Sequence, residues 1–406
     1  MQGIVELTLS TFDEVREAFR SRDLKQSLYD EGGVVMAGVL LTLHGDGHRA
    51  RRRLENRLFR RDTFRRYERE LVADIISGTL APFVAARQAD LVPVAYRVIM
   101  NLTALIAGLD RAGTAEETER LLEYTKLFSV GATLVHSTRD HAEVRAEVLA
   151  GLERFDAEFL APSIERRVKL LDQVAAGTLD EEALPPDVLT TLLRNQDDLD
   201  LPHDLVRREV AFYLQAGSHS TANAFTHTMH ELFTWAGTHP GALERARTDR
   251  LFLQRCSHEA LRLFQASPIA ARVAAAPVRL RSGLSIAEGT AVTLDLMAAN
   301  RDPAVFGPDA GSFNPERPLP DGVAPWGHSF GGGMHACIGA ELDGGLDPGA
   351  TKDSPGDHLF GTVTTLAAAV LDAGVRPDPD RPPALDPDTS RPHFGSYPVL
   401  FGEAQS

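Results

Sequence analysis

The stretch from Leu205 to Trp235 constrains the fold most. Val206, Val210 and Leu214 recur at spacing four, and Phe225, Met229 and Leu232 continue the same apolar face, so this is the longest helical candidate in the chain. Pro240 bounds its end. Residues 115–194 read as several more helices, one of them started by the Pro185–Pro186 pair at a tolerated N-terminal position, and strand signal there is nearly absent. His48 to Tyr67 is a strongly basic helical stretch with Leu54, Leu58 and Phe59 as its apolar stripe. Strand-like alternation is confined to IVELTL, ahead of a helical FDEVREAFR with Ser10 and Thr11 as N-cap candidates, and to VRLRSGLSIAEGTAVTLDL with its glycine turns. Residues 300–328 are dense in proline and glycine and read as ordered loop. With no internal repeat or linker, the expectation is one domain over residues 1–406, mainly α with a small β region.

Charge narrows the partners. A formal net charge of −15 argues against general binding to nucleic acid or to an anionic membrane, both of which need a basic footprint. The N-terminus has no basic n-region followed by an apolar h-region, and no segment reaches the ~18 consecutive apolar residues of a membrane span. Two cysteines, Cys256 and Cys337, are too few for a disulfide framework and suit a reducing compartment, so the expected location is the cytoplasm.

The chemistry concentrates in SFGGGMHACIG, Ser329 to Gly339. Gly331, Gly332 and Gly333 permit backbone conformations and close approaches that a Cβ would hinder, and Cys337 is a thiolate that could ligate a metal. A cysteine taken alone is more often a small buried hydrophobe, and that is the reading for Cys256 on its helix. The H-x-x-H-E run of His227, His230 and Glu231 lacks the H-E-x-x-H order of zincins and is read as structural or solvated. The glycines lack the Lys-Ser/Thr that would follow in a phosphate loop. Arg51, Arg57 and Arg61 are read as a solvated helix face, with docking of an acidic partner protein as the sharper alternative.

Phe330, Gly333, His335, Cys337 and Gly339 match F-x-x-G-x-H-x-C-x-G, the haem-binding signature of cytochromes P450, at every defined position. Glu259 and Arg262 reproduce that family's E-x-x-R pair, one helical turn apart, and Arg317 in FNPERP resembles the third member of the network. ANRDPAVF is similar to the stretch that links them. The chain thus resembles the soluble bacterial class of haem-thiolate monooxygenases, with matches from His48 to Gly339. The N-terminus is short for the family, with its first helix and strand apparently absent. The polar segment DGGLDPGATKDSPGDH after Leu342 is unusual and interrupts a helix that resumes near Leu359.

The resemblance implies haem b with Cys337 as axial ligand. His48 and Arg52, at i and i+4, together with Arg272 and His335, would bind its propionates. Glu259, Arg262 and Arg317 would be structural. Ala216 to Thr221, AGSHST, falls where P450s carry A-G-x-acid-Thr. Gly217 would make room for O2, His219 stands at the acid position, and Ser220 stands at the threonine position ahead of Thr221. A serine hydroxyl can donate and accept, and an imidazole titrates nearer neutrality than a carboxylate, so proton delivery would differ from the family pattern. The expected function is insertion of one atom of O2 into a hydrophobic or mixed small molecule, in specialised metabolism. Electrons would come from NAD(P)H through a ferredoxin reductase and a ferredoxin. The alternatives are peroxide use, desaturation or coupling, or a non-catalytic haem-binding sensor.

Overall fold

Thr11 starts the first helix, Phe12–Arg20: its hydroxyl accepts from the Glu14 amide, and the helix buries Phe12, Val15, Ala18 and Phe19. The preceding strand, Glu6–Leu9, pairs in parallel with Ala291–Asp295, Leu9 opposite Leu294. Ile269–Ala274 and then Leu24–Gln26 complete this four-stranded sheet, both antiparallel to their neighbours. The strand and helix that the sequence predicts in IVELTL and FDEVREAFR are therefore present, the strand from Glu6 on among the described residues. Leu9, Val15, Phe19, Leu24, Val292 and Leu294 share one core cluster. These observations come from a computed structural model that describes residues 6–349 and 357–402.

The chain divides into two compact units, one of Met1–Leu28, Phe64–Ala95 and Ser220–Ser406, the other of Tyr29–Thr63 and Tyr96–His219. The first holds the sheet just described and smaller ones, including a three-stranded sheet in the order Gln88–Asp90, Pro398–Phe401, Val375–Pro377. The second is helical among its described residues. Its helices Ala115–Ala132 and His141–Phe155 bury an aromatic cluster in which Phe128 and Phe155 meet edge-on at 5.3 Å. The long helix runs from His203 to Ala236, as the spacing of its apolar residues predicts. No helix among the described residues is long and apolar enough to cross a membrane.

Two local readings change. Pro185 and Pro186 precede a helix rather than start one: the helix is Val188–Arg194, and Asp187 caps it by accepting from the Thr190 amide at 2.7 Å. An aspartate cap displaces the start past the prolines because its side chain satisfies an otherwise orphaned donor. The basic stretch after His48 is two helices, Gly45–Glu55 and Arg61–Tyr67, separated by a turn.

The segment after Cys337 interrupts a helix as expected. Ala340–Gly344 is one short helix, and Thr362–Asp372 the next. The two ends of the interruption are tied together. Leu346 N donates to Leu359 O at 2.9 Å, and Gln254 Nε2 donates to Gly344 O, Leu359 O and Phe360 O at 3.1–3.3 Å. His258, buried and held neutral because burial pushes its imidazole down to about 4, bonds Gly344 O at 2.7 Å. Gly361 sits at φ 82°, and a Cβ there would lie 2.3 Å from Gly345 N and 2.5 Å from Asp343 O. Both the left-handed backbone and the contact demand glycine. Gly361→Ala is expected to lower unfolding free energy by about 3 kcal/mol or more, read as a shifted denaturant midpoint.

Candidate functional site

Glu259 and Arg262 lie one turn apart on Arg250–Leu263, a helix whose inner face is buried throughout this turn. The pair is two-pronged: Arg262 Nη2 and Nε donate to Glu259 Oε1 and Oε2 at 2.6 and 2.7 Å. Arg317 Nε adds a third bond to Oε1 at 3.1 Å. Arg262 Nη1 also donates to Asn300 O at 2.5 Å and Ala310 O at 2.7 Å, so a buried cation is satisfied by a carboxylate and backbone carbonyls together. Arg317 spreads its charge onto Asp309 Oδ1 at 2.6 Å, which holds that carboxyl below its ordinary range. The three residues picked from sequence do form one network.

Asn300 carries the network to the cysteine loop. Its Nδ2 donates to Arg262 O at 3.0 Å and meets Ser329 Oγ at 3.1 Å, while its Oδ1 accepts from His328 N at 2.7 Å. Ser329 Oγ in turn donates to Leu261 O at 2.7 Å. The sequence reading quoted Asn300 only within its stretch. An asparagine that bonds both an arginine's carbonyl and a distant amide leaves no spacing signal.

Beyond Ser329 the loop turns back, and Cys337 N donates to Phe330 O at 2.9 Å. Phe330 meets Trp326 edge-on at 5.4 Å. Of the three glycines, Gly331 and Gly333 take φ 66° and 63°, whereas Gly332 is extended. A Cβ at Gly333 would stand 1.9 Å from Phe19 O, so this glycine is required by the first helix as well as by its own turn. Cys337 is exposed and in no disulfide, whereas Cys256 is buried and its thiol is pushed far up by desolvation, as read from sequence.

Among the other expected ligand-binding residues, Arg272 lies on the strand Ile269–Ala274. It donates to Gln26 Oε1 at 2.7 Å, with its guanidinium 5.3 Å from the Phe19 ring centre. Arg272, His335, Phe330, Gly339, Ser220 and Thr221 belong to the same unit as Cys337, whereas His48, Arg52, Ala216, Gly217 and His219 belong to the other. His48 is buried, which together with Arg52 lowers its imidazole below the ordinary range, and Arg52 Nε donates to Asn56 Oδ1 at 3.0 Å. His227 is structural: it stacks on Phe264 at 4.1 Å, bonds Pro392 O, and burial pushes it down to about 3. No cluster among the described residues groups His, Cys, Asp and Glu as a metal site would need.

Arg51 is not on a solvated face. It is buried, with Nη1 2.7 Å from Glu209 Oε2 and 3.7 Å from Glu55 Oε1. Glu209 also accepts from Leu40 N, and Tyr213 donates to Glu55. Burial raises Glu209 to about 7 and Glu55 well above its ordinary range, with the neighbouring carboxylate adding to the latter. Two acids on facing helices draw one cation inward, and only the i,i+4 position of Glu55 hinted at it. Arg57 and Arg61 are exposed.

Gly217 and His219 also gain partners that the sequence did not reveal. The long helix is unbroken through Gly217, where a Cβ would lie 2.8 Å from Thr103 Cγ2. Close approach of the helix Leu91–Ala107 is thus a packing reason for this glycine. His219 Nδ1 lies 2.5 Å from the Tyr96 hydroxyl on that same helix. Thr221 hydrogen bonds Asp343, a residue of the unusual segment after Cys337. Asp343 Oδ1 is buried without a partner, and desolvation raises the carboxyl to about 6.

The cytochrome P450 family model matches residues 237–342, the part that carries the Glu259 network and Cys337. Putative cytochrome P450 137 of Mycobacterium tuberculosis is 29% identical over 207 residues, covering 47% of this chain and 42% of that protein. The self-sufficient cytochrome P450 monooxygenase CYP505E3 of Aspergillus terreus is 29% identical over 205 residues, 43% of this chain and 19% of that one. The chain therefore spans less than half the length of these curated relatives. The solved structure of P450BioI with an acyl-carrier-protein-ligated hexadec-9Z-enoic acid superposes with TM-score 0.73 at 18% identity, over 97% of this chain and 92% of that one. CalO2 gives 0.72 at 20% identity, over 97% and 90%. The described residues thus share the fold of these solved P450 structures, and residues 237–342 match the cytochrome P450 family model.

Glu259→Gln removes the charge that two buried guanidinium groups share and is expected to cost about 3–5 kcal/mol, read by chemical denaturation. Asp343 has a folded pKa above its unfolded one, so the folded state holds the extra proton, and stability falls as pH rises from about 4 towards 6 and then levels. Thermal melts of Asp343→Asn over this range are expected to lack that slope relative to the unmodified protein.

Proposed function

We propose that this chain is a haem-thiolate monooxygenase acting on a hydrophobic or mixed small molecule. The observation that carries this reading is the exposed Cys337 thiol on a loop braced by Asn300 and the Glu259–Arg262 pair. The residues fit a haem. A thiolate on this braced loop has the donor chemistry that haem iron takes, and Arg272 and His335, in the same unit as Cys337, have the charge and hydrogen-bonding capacity to hold haem carboxylates, whereas His48 and Arg52 come to that role from the family resemblance alone. Bound haem supplies the redox centre at which O2 is activated.

The protein's own part is positioning and proton handling. The hydrogen bonds that brace the loop would hold the Cys337 thiolate in place as the ligand of a haem iron. Ser220 and Thr221 provide hydroxyls that donate and accept, and His219 provides an imidazole where the family pattern has a carboxylate. Nicotinamide-derived electrons would arrive through a ferredoxin reductase and a ferredoxin, with exposed Arg57 and Arg61 as part of a docking face complementary to an acidic carrier. Specialised metabolism is the favoured setting. Among the similar solved proteins, CxnD is described as forming a C–S bond in chuangxinmycin biosynthesis and HmtN as a hydroxylase of himastatin biosynthesis. The replacement of the acid by His219 also supports a second reading, oxidation with altered proton delivery such as peroxide use, desaturation or coupling.

Substrate-induced spin-state shifts across steroid, terpenoid, polyketide and peptide-derived panels test the substrate class. Ferredoxin-supported O2 consumption matched by product tests the reaction, and its absence across the panel would leave a haem-binding sensor. Cys337→Ser is expected to lose the thiolate band of the reduced carbon monoxide complex. Persistence of that band would assign the ligand elsewhere.

A further inference from the structure

Three polar or close contacts lock the helix Leu91–Ala107 onto the first part of the long helix. Thr103 Oγ1 donates to Leu214 O at 3.0 Å and lies 3.1 Å from Ser218 Oγ, and Gly217 leaves room for the Thr103 methyl. Tyr96 is two turns before Thr103 and on the same face, because seven residues are nearly two turns of an α-helix. This fixed register is what brings the Tyr96 hydroxyl to His219 Nδ1 at 2.5 Å, with the two rings tilted by 52°.

We propose that Tyr96 is the positioning residue of His219, holding its imidazole in one rotamer and in the tautomer that carries its proton on Nε2. The inference rests on His219 handling protons at the acid position and names the group that prepares it. A phenol carries one proton to give, and Nδ1 of a neutral imidazole accepts it only when the ring proton is on Nε2. Lys126 favours that direction. Its ammonium lies 5.6 Å from the Tyr96 ring centre, where it withdraws electron density and makes the phenol a better donor and a poorer acceptor. Arg97, the next residue, pairs with Glu119 through both its terminal nitrogens and ties the Tyr96 turn to the helix Ala115–Ala132 that carries Lys126. In families with a carboxylate at this position either oxygen can present itself. An imidazole has two unlike nitrogens, so a fixed tautomer is needed before it can donate in a defined direction.

The test uses the haem-loaded full chain labelled with [15N]histidine, in the reduced carbon monoxide form, which is diamagnetic. His219→Ala identifies the His219 signals. The expected result is a single Nε2–H tautomer in the unmodified protein and a mixture of both tautomers in Tyr96→Phe, which keeps the ring and its packing. The second readout is hydrogen peroxide released per NADPH oxidised with a plant-type ferredoxin and its reductase. Tyr96→Phe is expected to move this ratio in the same direction as His219→Ala. An unchanged tautomer in Tyr96→Phe overturns the positioning role. An altered tautomer with a peroxide ratio unmoved by His219→Ala upholds that role and instead removes the reading of His219 as a proton-handling group.

Discussion

Glu259 is the point on which the cysteine-bearing unit depends. One carboxylate meets two guanidinium groups, and desolvating three charges is tolerable only because the remaining guanidinium donors are spent on Asp309 and on backbone carbonyls, while the carboxylate also accepts from Asn314 N. Those carbonyls belong to loops that have no ladder of their own. Residues 307–332 contain no regular helix or strand, so their backbone groups must find partners elsewhere. Arg262, Arg317 and Asn300 provide many of them. The network is therefore the secondary structure of a region that lacks any, and the conformation of the cysteine loop follows from it.

The other unit repeats this logic with the charges reversed. Around Arg51, one guanidinium serves two carboxylates, and the excess acid is accommodated by burial raising Glu55 and Glu209 towards their neutral forms. Tyr213 and the Leu40 amide complete the hydrogen bonding. Here the cluster joins helices, with Arg51 and Glu55 on Gly45–Glu55 and Glu209 and Tyr213 on the long one. His48 and Arg52 share the first of these helices, three residues and one residue from Arg51, so their placement depends on its buried ion pairs.

Legibility in the sequence followed the locality of the interaction. The long helix, the Thr11 cap and the Glu259–Arg262 pair were readable because each is set by spacing within one element. Arg51 was misread for the complementary reason: a charge run is usually solvated, and the partner that buries this one is 158 positions away. Asn300, Tyr96 and Asp343 were missed on the same ground, since an isolated polar residue carries no pattern until its neighbour from another helix is known. Gly217 was read as making room for O2, and its packing against Thr103 was not legible.

The closure between Gly345 and Gly361 separates the length of the chain there from the geometry around it. Leu346 and Leu359 are already bonded to each other, and Gln254, His258 and Glu68 hold the flanking backbone from outside. The cost of joining two ends grows only with the logarithm of the loop between them, and here the ends are fixed by groups outside it. A change in the length of chain between Leu346 and Leu359 is therefore expected to leave the hydrogen bonds of this neck as they are.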